Sequence, residues 1–298
     1  MKNPDENKAQ AVKRKTKKKV SRISEVWKQL KRNKIAVVSL IIIILVILVA
    51  IFADYIAPYP YDQQFTSRPL EGSSKDFLLG TDRLGRDILS RIIYGSRASL
   101  MLGFGAVAIS TTLGVIIGAI AGYYGGWTDN ILMRLLDIYQ SIPMFLMCLV
   151  IAAVLGASLR NAVFAIGLAG IAGSARLLRA SILGVREMEY IEAAKSINAS
   201  SGRIIRKHIL PNAIAPLIVN VTMGIGLCIM SGAALSFVGL GTQAPTAEWG
   251  AMISDARNYM RQNATLAIYP GICIIITVLS FNLLGDGLRD ALDPRLRN

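Results

Sequence analysis

The 298-residue sequence has few of the histidines and charged side chains that soluble enzymes use for catalysis. It contains one histidine, His208, and only 17% of its residues are charged. Neither a Gly-x-Ser-x-Gly nor a His-Glu-x-x-His motif occurs, and the dipeptide Gly-Lys is absent, so there is no phosphate-binding loop of the Gly-x-x-x-x-Gly-Lys type. The sequence therefore argues against an enzyme and against a self-contained ATPase.

Cysteine is also scarce, and its placement excludes the usual cysteine chemistry. Cys148, Cys228 and Cys273 all lie in apolar stretches, and no Cys-x-x-Cys or Cys/His spacing joins them. Isolated cysteines in apolar sequence behave as small buried hydrophobes. We expect no metal site and no cofactor bound by this chain.

Apolar residues are abundant and are concentrated in long runs without charge. Hydrophobic residues make up 53% of the chain, and the mean hydropathy is +0.48, well above that of a typical soluble domain. Runs of this length match the thickness of a bilayer. The sequence predicts an all-α integral membrane fold of six transmembrane helices, at residues 35–53, 99–122, 138–156, 162–175, 213–240 and 264–284. The fourth span is rich in small residues and is expected inside the bundle.

Basic residues are gathered at the N-terminus. Residues 1–34 hold 13 of the 33 lysines and arginines and three acids. Such a segment is typical of a tail attracted to anionic lipid headgroups, and it lacks the aromatic residues of a nucleic-acid binder. Its end, residues 24–34, has the amphipathic pattern of an interfacial helix.

The distribution of lysine and arginine also predicts the orientation. With both termini in the cytosol, the inner segments hold 24 of the 33 basic residues and the outer segments nine. We therefore expect a multi-pass protein of the cell membrane with an external loop at 54–98, a core of five transmembrane helices at 99–285 that includes a cytosolic loop at 186–212, and a cytosolic tail at 286–298.

Ion-coupled carriers usually place an ionisable residue at mid-membrane, and no charged residue lies in the middle of any predicted span. The sequence therefore argues against a stand-alone secondary carrier or channel, and we keep that class only as the remote alternative function. Energy for uphill movement of a solute must then come from a partner, and the largest inner loop is where it could enter. The sequence of that loop predicts a helix, a turn at Asn198 and a second short helix.

A motif in this loop resembles the Glu-Ala-Ala loop of ABC importer permeases. The motif consists of Glu192, Ala193, Ala194, Asn198, His208, Leu210 and Pro211. The spacing agrees throughout, and the one departure is Asn198 where the family usually has glycine. Asparagine is the next best residue at positive φ, so we expect the turn to survive.

A second motif resembles the external-loop signature of the C-type permease subunit of oligopeptide and dipeptide importers. It runs over residues 79–97 and includes Gly80, Thr81, Asp82, Gly85, Arg86 and Asp87. The segments 236–241, 249–250 and 286–295 are similar to the same subfamily. The resemblance covers the chain from about Trp27 to its end.

The resemblance implies a function and a set of partners. It implies the permease subunit of an ATP-driven, binding-protein-dependent importer of peptides, with the loop at 186–212 coupling it to the ATPases. The implied partners are a homologous second permease, two cytosolic ABC ATPases that use the ATP, an extracytoplasmic peptide-binding protein and the lipid bilayer. The same architecture with nickel, glutathione or another small solute as cargo is the open alternative.

Two further expectations concern the inside of the bundle. A lumen for peptides needs a polar but uncharged lining, for which the spans offer Thr111, Thr112, Asn220, Thr222, Ser231 and Asn282. Close approach to a partner permease is expected along glycines of the second and fifth spans, namely Gly103, Gly114, Gly118, Gly224 and Gly226.

Overall fold

The structure is a computed structural model that describes residues 22–293, with side chains from residue 25 onward. The basic run at 13–19 and the last five residues of the predicted cytosolic tail lie outside the described residues. Within them the chain is entirely helical apart from loops and one isolated bridge between Thr81 and Asp87.

The N-terminal part has three helices. Helix α1 (Arg22–Leu30) is amphipathic, and Lys31 lies over the ring of Trp27 at 5.1 Å. The predicted interfacial helix ends four residues early because Asn33 caps the next helix, accepting a hydrogen bond from the Ala36 N–H at 3.1 Å. Helix α2 (Lys34–Ile51) agrees with the first predicted span, and the single turn α3 (Ala53–Ile56) follows it.

The longest element, α4 (Ile88–Tyr124), corrects two predicted boundaries. The second span was predicted to begin at 99 and the loop before it to end at 98, but the helix already begins at Ile88. Asp87 caps it by accepting hydrogen bonds from the N–H and the hydroxyl of Ser90, at 2.8 and 2.6 Å. At 1.5 Å per residue its 37 residues span about 55 Å, which exceeds a hydrocarbon core of about 30 Å.

The third predicted span, at 138–156, is wrong as a continuous helix. It is a bent pair, α5 (Gly126–Gln140) and α6 (Met144–Leu155), which meet at 79° across a three-residue break. Pro143 in the break has no N–H to continue a helix. The described residues thus contain five helices able to cross a membrane, or six if the bent pair counts as one span.

The remaining helices complete the bundle. The fourth span is longer than predicted, because α7 (Leu159–Ala169) and α8 (Ile171–Arg186) follow each other with one residue between them. The loop at 186–212 holds α9 (Glu189–Ser196) and α10 (Ser201–Ile204), and a π-helical turn (Ile205–Ile209) leads into α11 (Leu210–Ala213). Helices α12 (Ala215–Phe237), α13 (Trp249–Ala256) and α14 (Thr265–Leu292) follow, so the last helix runs into the predicted tail at 286–298.

Small residues allow the helices to approach closely, as predicted for the fourth span. A Cβ atom at Gly114 would lie 2.5 Å from the Cβ of Ser174, and one at Gly118 would lie 2.4 Å from the carbonyl oxygen of Ala175. Helices α4 and α8 therefore touch backbone to backbone. Of the glycines expected at a partner interface, Gly103, Gly114, Gly118 and Gly226 pack against helices of their own chain, and Gly224 lines a cavity.

The α4–α8 contact makes a direct prediction for stability. Gly118→Ala should destabilise the protein by about 1–3 kcal/mol, because the added methyl group has no space beside Ala175. Gly184→Ala on α8 is the matched control, since a Cβ there meets nothing within 4 Å and gains only helix propensity. Thermal unfolding in detergent is the measurement. Equal midpoints for the two variants would contradict the close contact.

Candidate functional site

Three regions contain the candidate functional residues. They are the coupling loop (residues 186–212), the signature loop (residues 57–87) and a cavity between α4, α5, α6, α8, α12 and α14.

The coupling loop is anchored to the end of α8 by its own apolar residues. Ile191, Ala194, Ile204 and Ile209 are buried, and they form one cluster with Leu178 and Ile182 of α8. At the start of the loop, Arg186 donates hydrogen bonds to the carbonyl oxygens of Gly122 and Tyr123 at 3.2 and 3.3 Å, which satisfies the end of α4. The loop therefore forms a compact unit with α4 and α8.

The turn predicted at Asn198 is confirmed. Asn198 has φ +55°, and the N–H groups of Asn198 and Ala199 donate to the carbonyl oxygens of Lys195 and Ala194. The left-handed residue ends α9 as glycine would. Ser200 precedes α10 but makes no side-chain capping bond.

Pro211 follows a widened turn of helix. It has no N–H to offer the residue four positions earlier, and the Leu210 N–H bonds five positions back, to Ile205. His208 is half-buried, and its carbonyl oxygen accepts from the carboxamide of Asn212 at 2.7 Å. The His208, Leu210 and Pro211 part of the motif thus joins the coupling loop to α12.

The two alanines of the motif face different ways. Ala194 is 7% exposed and packs inward, whereas Ala193 is exposed. Ala193 lies between Tyr190 and Ile197 on one helical face, and Ile197 is 79% exposed. Glu192 is exposed beside them. The exposed face of α9 therefore includes the Tyr190–Ala193–Ile197 stripe, and Ala194 does not lie on it.

The signature loop folds around Thr81. The Thr81 hydroxyl donates to the carbonyl oxygen of Arg68 at 2.6 Å and accepts from the N–H of Glu71 at 2.9 Å. Gly80 and Gly85 have positive φ, and a Cβ at either would lie within 2.4 Å of a backbone oxygen. Both positions therefore require glycine.

Asp82 and Arg86 join this loop to the rest of the protein. The Asp82 carboxylate accepts from the Arg86 N–H and from its Nε at 3.0 and 2.6 Å. The Arg86 side chain is 2% exposed, and it also reaches Asp255 of α13 at 3.3 Å. All six predicted signature residues thus lie together, and they close the loop onto the start of α4.

Sequence reasoning missed the residues that receive the signature loop. Asp255 was not singled out, and neither was Glu248, a buried carboxylate that accepts hydrogen bonds from the N–H groups of Gly250 and Ala251 at 2.7 and 2.8 Å. The Trp249 indole N–H donates to the carbonyl oxygen of Ile92 at 3.0 Å. The excess of arginine in the signature motif was the available signal that an acid elsewhere must pair with it.

The surface of the signature loop carries a further ion pair. Arg68 binds Glu71 and Asp76, and the hydrogen bond from Arg68 holds the pKa of the Glu71 carboxyl below its usual range. Outside the loop, Arg97 of α4 binds Asp54 of α3, and the hydrogen bond from Arg97 lowers the pKa of the Asp54 carboxyl. Both acids keep their charge into mildly acid solution.

The cavity has a volume of about 790 Å³ and contains no charged side chain among its lining residues. Of the six residues proposed from the sequence, Thr111, Asn220 and Asn282 line it. The lining does not include Thr112, Thr222 or Ser231; Thr222 and Ser231 instead donate their hydroxyls to carbonyl oxygens of their own helix, each at 2.9 Å. The bend between α5 and α6 also lines the cavity, through Gln140 at the end of α5, Pro143 in the break and Met144 at the start of α6.

Comparison with solved structures identifies the class of fold. The chain matches a structure of inward-facing conformations of the MetNI methionine ABC transporter with a TM-score of 0.56 at 19% identity, over 69% of this chain and 98% of that one. It matches an amino acid ABC transporter crystallised with histidines with a TM-score of 0.53 at 18% identity, over 68% and 94%. The fold is that of a membrane subunit of ABC transporters.

Sequence comparison identifies the family. Residues 114–298 match the model described as binding-protein-dependent transport system inner membrane component, and residues 21–71 match the N-terminal transmembrane domain of oligopeptide transport permease C. The chain belongs to this family of inner membrane transport components. The resemblance inferred from the two motifs is confirmed.

Curated relatives cover most of the chain. It is 47% identical to the dipeptide transport system permease protein DppC of Alkalihalophilus pseudofirmus, over 84% of this chain and 82% of that protein. It is 43% identical to the glutathione transport system permease protein GsiD of Pectobacterium atrosepticum, over 84% and 83%. The relatives therefore transport more than one kind of cargo.

The arginine at the centre of the signature loop makes the second prediction. Arg86→Leu should destabilise the loop by about 3 kcal/mol, the lower end for breaking a buried pair, because the carboxylate of Asp82 then keeps only Arg91, at 3.6 Å. Arg83→Leu is the control, since Arg83 is half-exposed and lies 3.7 Å from Asp255, where a pair contributes about 1 kcal/mol or less. Limited proteolysis of the loop measures both. Equal protection in the two variants would contradict a central role for Arg86.

Proposed function

We propose that this chain is the permease subunit of an ATP-driven importer of peptides, with both termini in the cytosol. The observation that carries this proposal is the uncharged cavity in a chain 47% identical to a dipeptide permease. An uncharged, polar lining suits a peptide, whose main chain is polar at every residue and whose side chains vary. The protein moves its cargo without covalent chemistry.

The cavity needs a second subunit to close it. It is only partly enclosed, and at membrane depth its carboxamides cannot face lipid without an unfavourable desolvation energy. A homologous permease supplies the other wall and shields these carboxamides from lipid. In this arrangement the pathway lies between the two permeases, and an extracytoplasmic binding protein delivers the peptide on the side of the signature loop.

The energy enters through the coupling loop. Each of two cytosolic ABC ATPases contacts one permease, and here the contact is the Tyr190–Ala193–Ile197 stripe, with Glu192 at its border. Because the loop is packed onto the end of α8, movement of the ATPase passes into α8 as movement of a rigid unit. ATP is used by the partners, and this chain contains no Gly-Lys loop to bind it.

The alternative cargoes fit the cavity less well. Nickel would meet no carboxylate or imidazole among the lining residues, although these groups are its usual ligands. Glutathione carries a net negative charge, and the lining supplies no cation. Relatives that transport glutathione at 43% identity keep it as the second candidate cargo.

The orientation is tested by labelling. In a variant whose three native cysteines are replaced by alanine, an impermeant thiol reagent added to intact cells should label Ser73→Cys in the signature loop. It should label Ser200→Cys in the coupling loop only after the cells are opened, because the excess of basic residues places that loop inside. The reverse pattern would overturn both the orientation and the coupling role.

The function is tested by reconstitution with the partners. Vesicles containing both permeases, both ATPases and the binding protein should accumulate a labelled peptide only when ATP is present. Ala193→Glu should leave membrane insertion intact but reduce uptake tenfold or more, because a charged side chain overpacks the stripe proposed to dock the ATPase. Ala194→Glu is not a suitable test, since it would disrupt the loop's own core.

Two results would contradict this function. Accumulation by this chain alone in a proton or sodium gradient would show a secondary carrier. Normal uptake by a stably expressed Ala193→Glu protein would show that the ATPase docks elsewhere, while peptide-dependent uptake by the wild-type complex would still support the cargo.

A further inference from the structure

Three carboxamides in the cavity have no hydrogen-bond partner among the described residues. They belong to Gln140 at the end of α5, Asn220 in α12 and Asn282 in α14, and all three line the cavity. Within the part of the chain that the structure describes, none of these side chains donates or accepts a hydrogen bond. Each carboxamide can donate two and accept two.

Their neighbours on the same helices behave differently. Thr222 lies two residues after Asn220 and donates its hydroxyl to the carbonyl oxygen of Ile218, and Ser280 lies two residues before Asn282 and donates to Ile276 at 2.7 Å. These hydroxyls are satisfied by their own helix, as is usual in transmembrane helices. The free polar groups are therefore directed at the cavity and at whatever fills it.

The cavity also contains an unusual share of methionine. Met144, Met147, Met223 and Met230 line it, out of ten methionines in the whole chain. Methionine is unbranched and polarisable, so it repacks around apolar groups of different shape and is frequent at binding surfaces that accept many partners. The methionines thus form an adaptable apolar part of the cavity wall, and the carboxamides form a part that makes directional hydrogen bonds.

We propose that the carboxamides of Gln140, Asn220 and Asn282 bind the main chain of the cargo, while the four methionines pack against its side chains. This assignment rests on the proposed function and adds which groups of the peptide the pathway recognises. A main-chain N–H and C=O are the same in every peptide, and a carboxamide pairs with both. Recognition is therefore independent of the side-chain sequence.

The size of the cavity agrees with this assignment. Its volume of about 790 Å³ lies within the range of pockets that bury a small organic ligand. Half of such a ligand's surroundings would come from the partner permease, so a short peptide segment passes through with its polar groups paired. The hydrogen bonds replace those lost to water and lower the desolvation cost of passage.

The test compares a peptide with an ester analogue in the reconstituted complex. Replacing one amide N–H of an alanine tripeptide by an ester oxygen removes a donor and leaves the shape unchanged. Asn220→Leu, Asn282→Leu and Gln140→Leu should each lower tripeptide uptake by about two- to tenfold, the range for one lost hydrogen bond. In the variant whose carboxamide accepted that N–H, the preference for tripeptide over ester should shrink.

Each variant is judged by the ratio of tripeptide uptake to ester uptake. This ratio removes the influence of the binding protein, because the binding protein has the same preference in every experiment. Thr222→Val is the matched control on α12, since its hydroxyl is satisfied within the helix and does not line the cavity. It should change neither the rate nor the ratio. ATPase activity without cargo confirms that each variant is assembled.

The outcomes separate this assignment from the proposed function. No ATP-driven tripeptide uptake by the wild-type complex would overturn the function itself. Wild-type uptake with an unchanged rate and ratio in all three leucine variants would overturn only the assignment to the carboxamides.

A second measurement needs no variant and so does not depend on variants folding. A tripeptide carrying a benzophenone side chain is added to the working wild-type complex and irradiated, and the adducts are located by mass spectrometry. The four methionines should carry the adducts, because their flexible side chains pack against the cargo side chain. Adducts confined to positions outside the cavity would overturn the assignment.

Discussion

The backbone contact between α4 and α8 is the constraint on which the rest of the structure depends. Gly114 and Gly118 let the two helices meet at their main chains. Attraction between transmembrane helices comes from close packing more than from the exclusion of water, so small residues at this seam set the positions of both helices. Ser110 and Thr111 of α4 and Ser174 of α8 then form one side of the cavity, and Leu178 and Ile182 of α8 carry the coupling loop.

The charged groups are organised around this uncharged centre. On the signature-loop side, Asp82, Arg86 and Asp255 tie the loop to the start of α4 and to α13. Towards the other end, Arg179 of α8 pairs with Asp129 of α5, and Arg176 pairs with Asp137. The Asp82–Arg86 pair is buried and penalises any arrangement that separates its members, the Arg179–Asp129 pair is partly buried, and the Arg176–Asp137 pair is exposed. Here they specify which segments stay together when the bundle changes shape.

Much of this arrangement could be predicted from the sequence, and the failures have physical causes. Charge-free runs located the spans, and the spacing from Glu192 to Pro211 and Asn198's tolerance of positive φ located the coupling loop. Hydropathy could not show that the third span is bent, because Gln140 and Pro143 change the chain direction without adding charge. Nor could it show which neighbour a glycine meets: small residues mark close contact but not the identity of the helix in contact.

The bend between α5 and α6 has a mechanical consequence. The two ion pairs join α5 to α8, whereas α6 packs against α7. In the mechanism we propose, a displacement of α8 received through the coupling loop would carry α5 with it, while the break at 141–143 absorbs the change in angle. Tyr139 and Gln140 stand at the end of α5 and line the cavity, so the same displacement changes the cavity wall. The stripe proposed to meet the ATPase and the cavity proposed to hold the cargo are thus connected by α8, two ion pairs and α5.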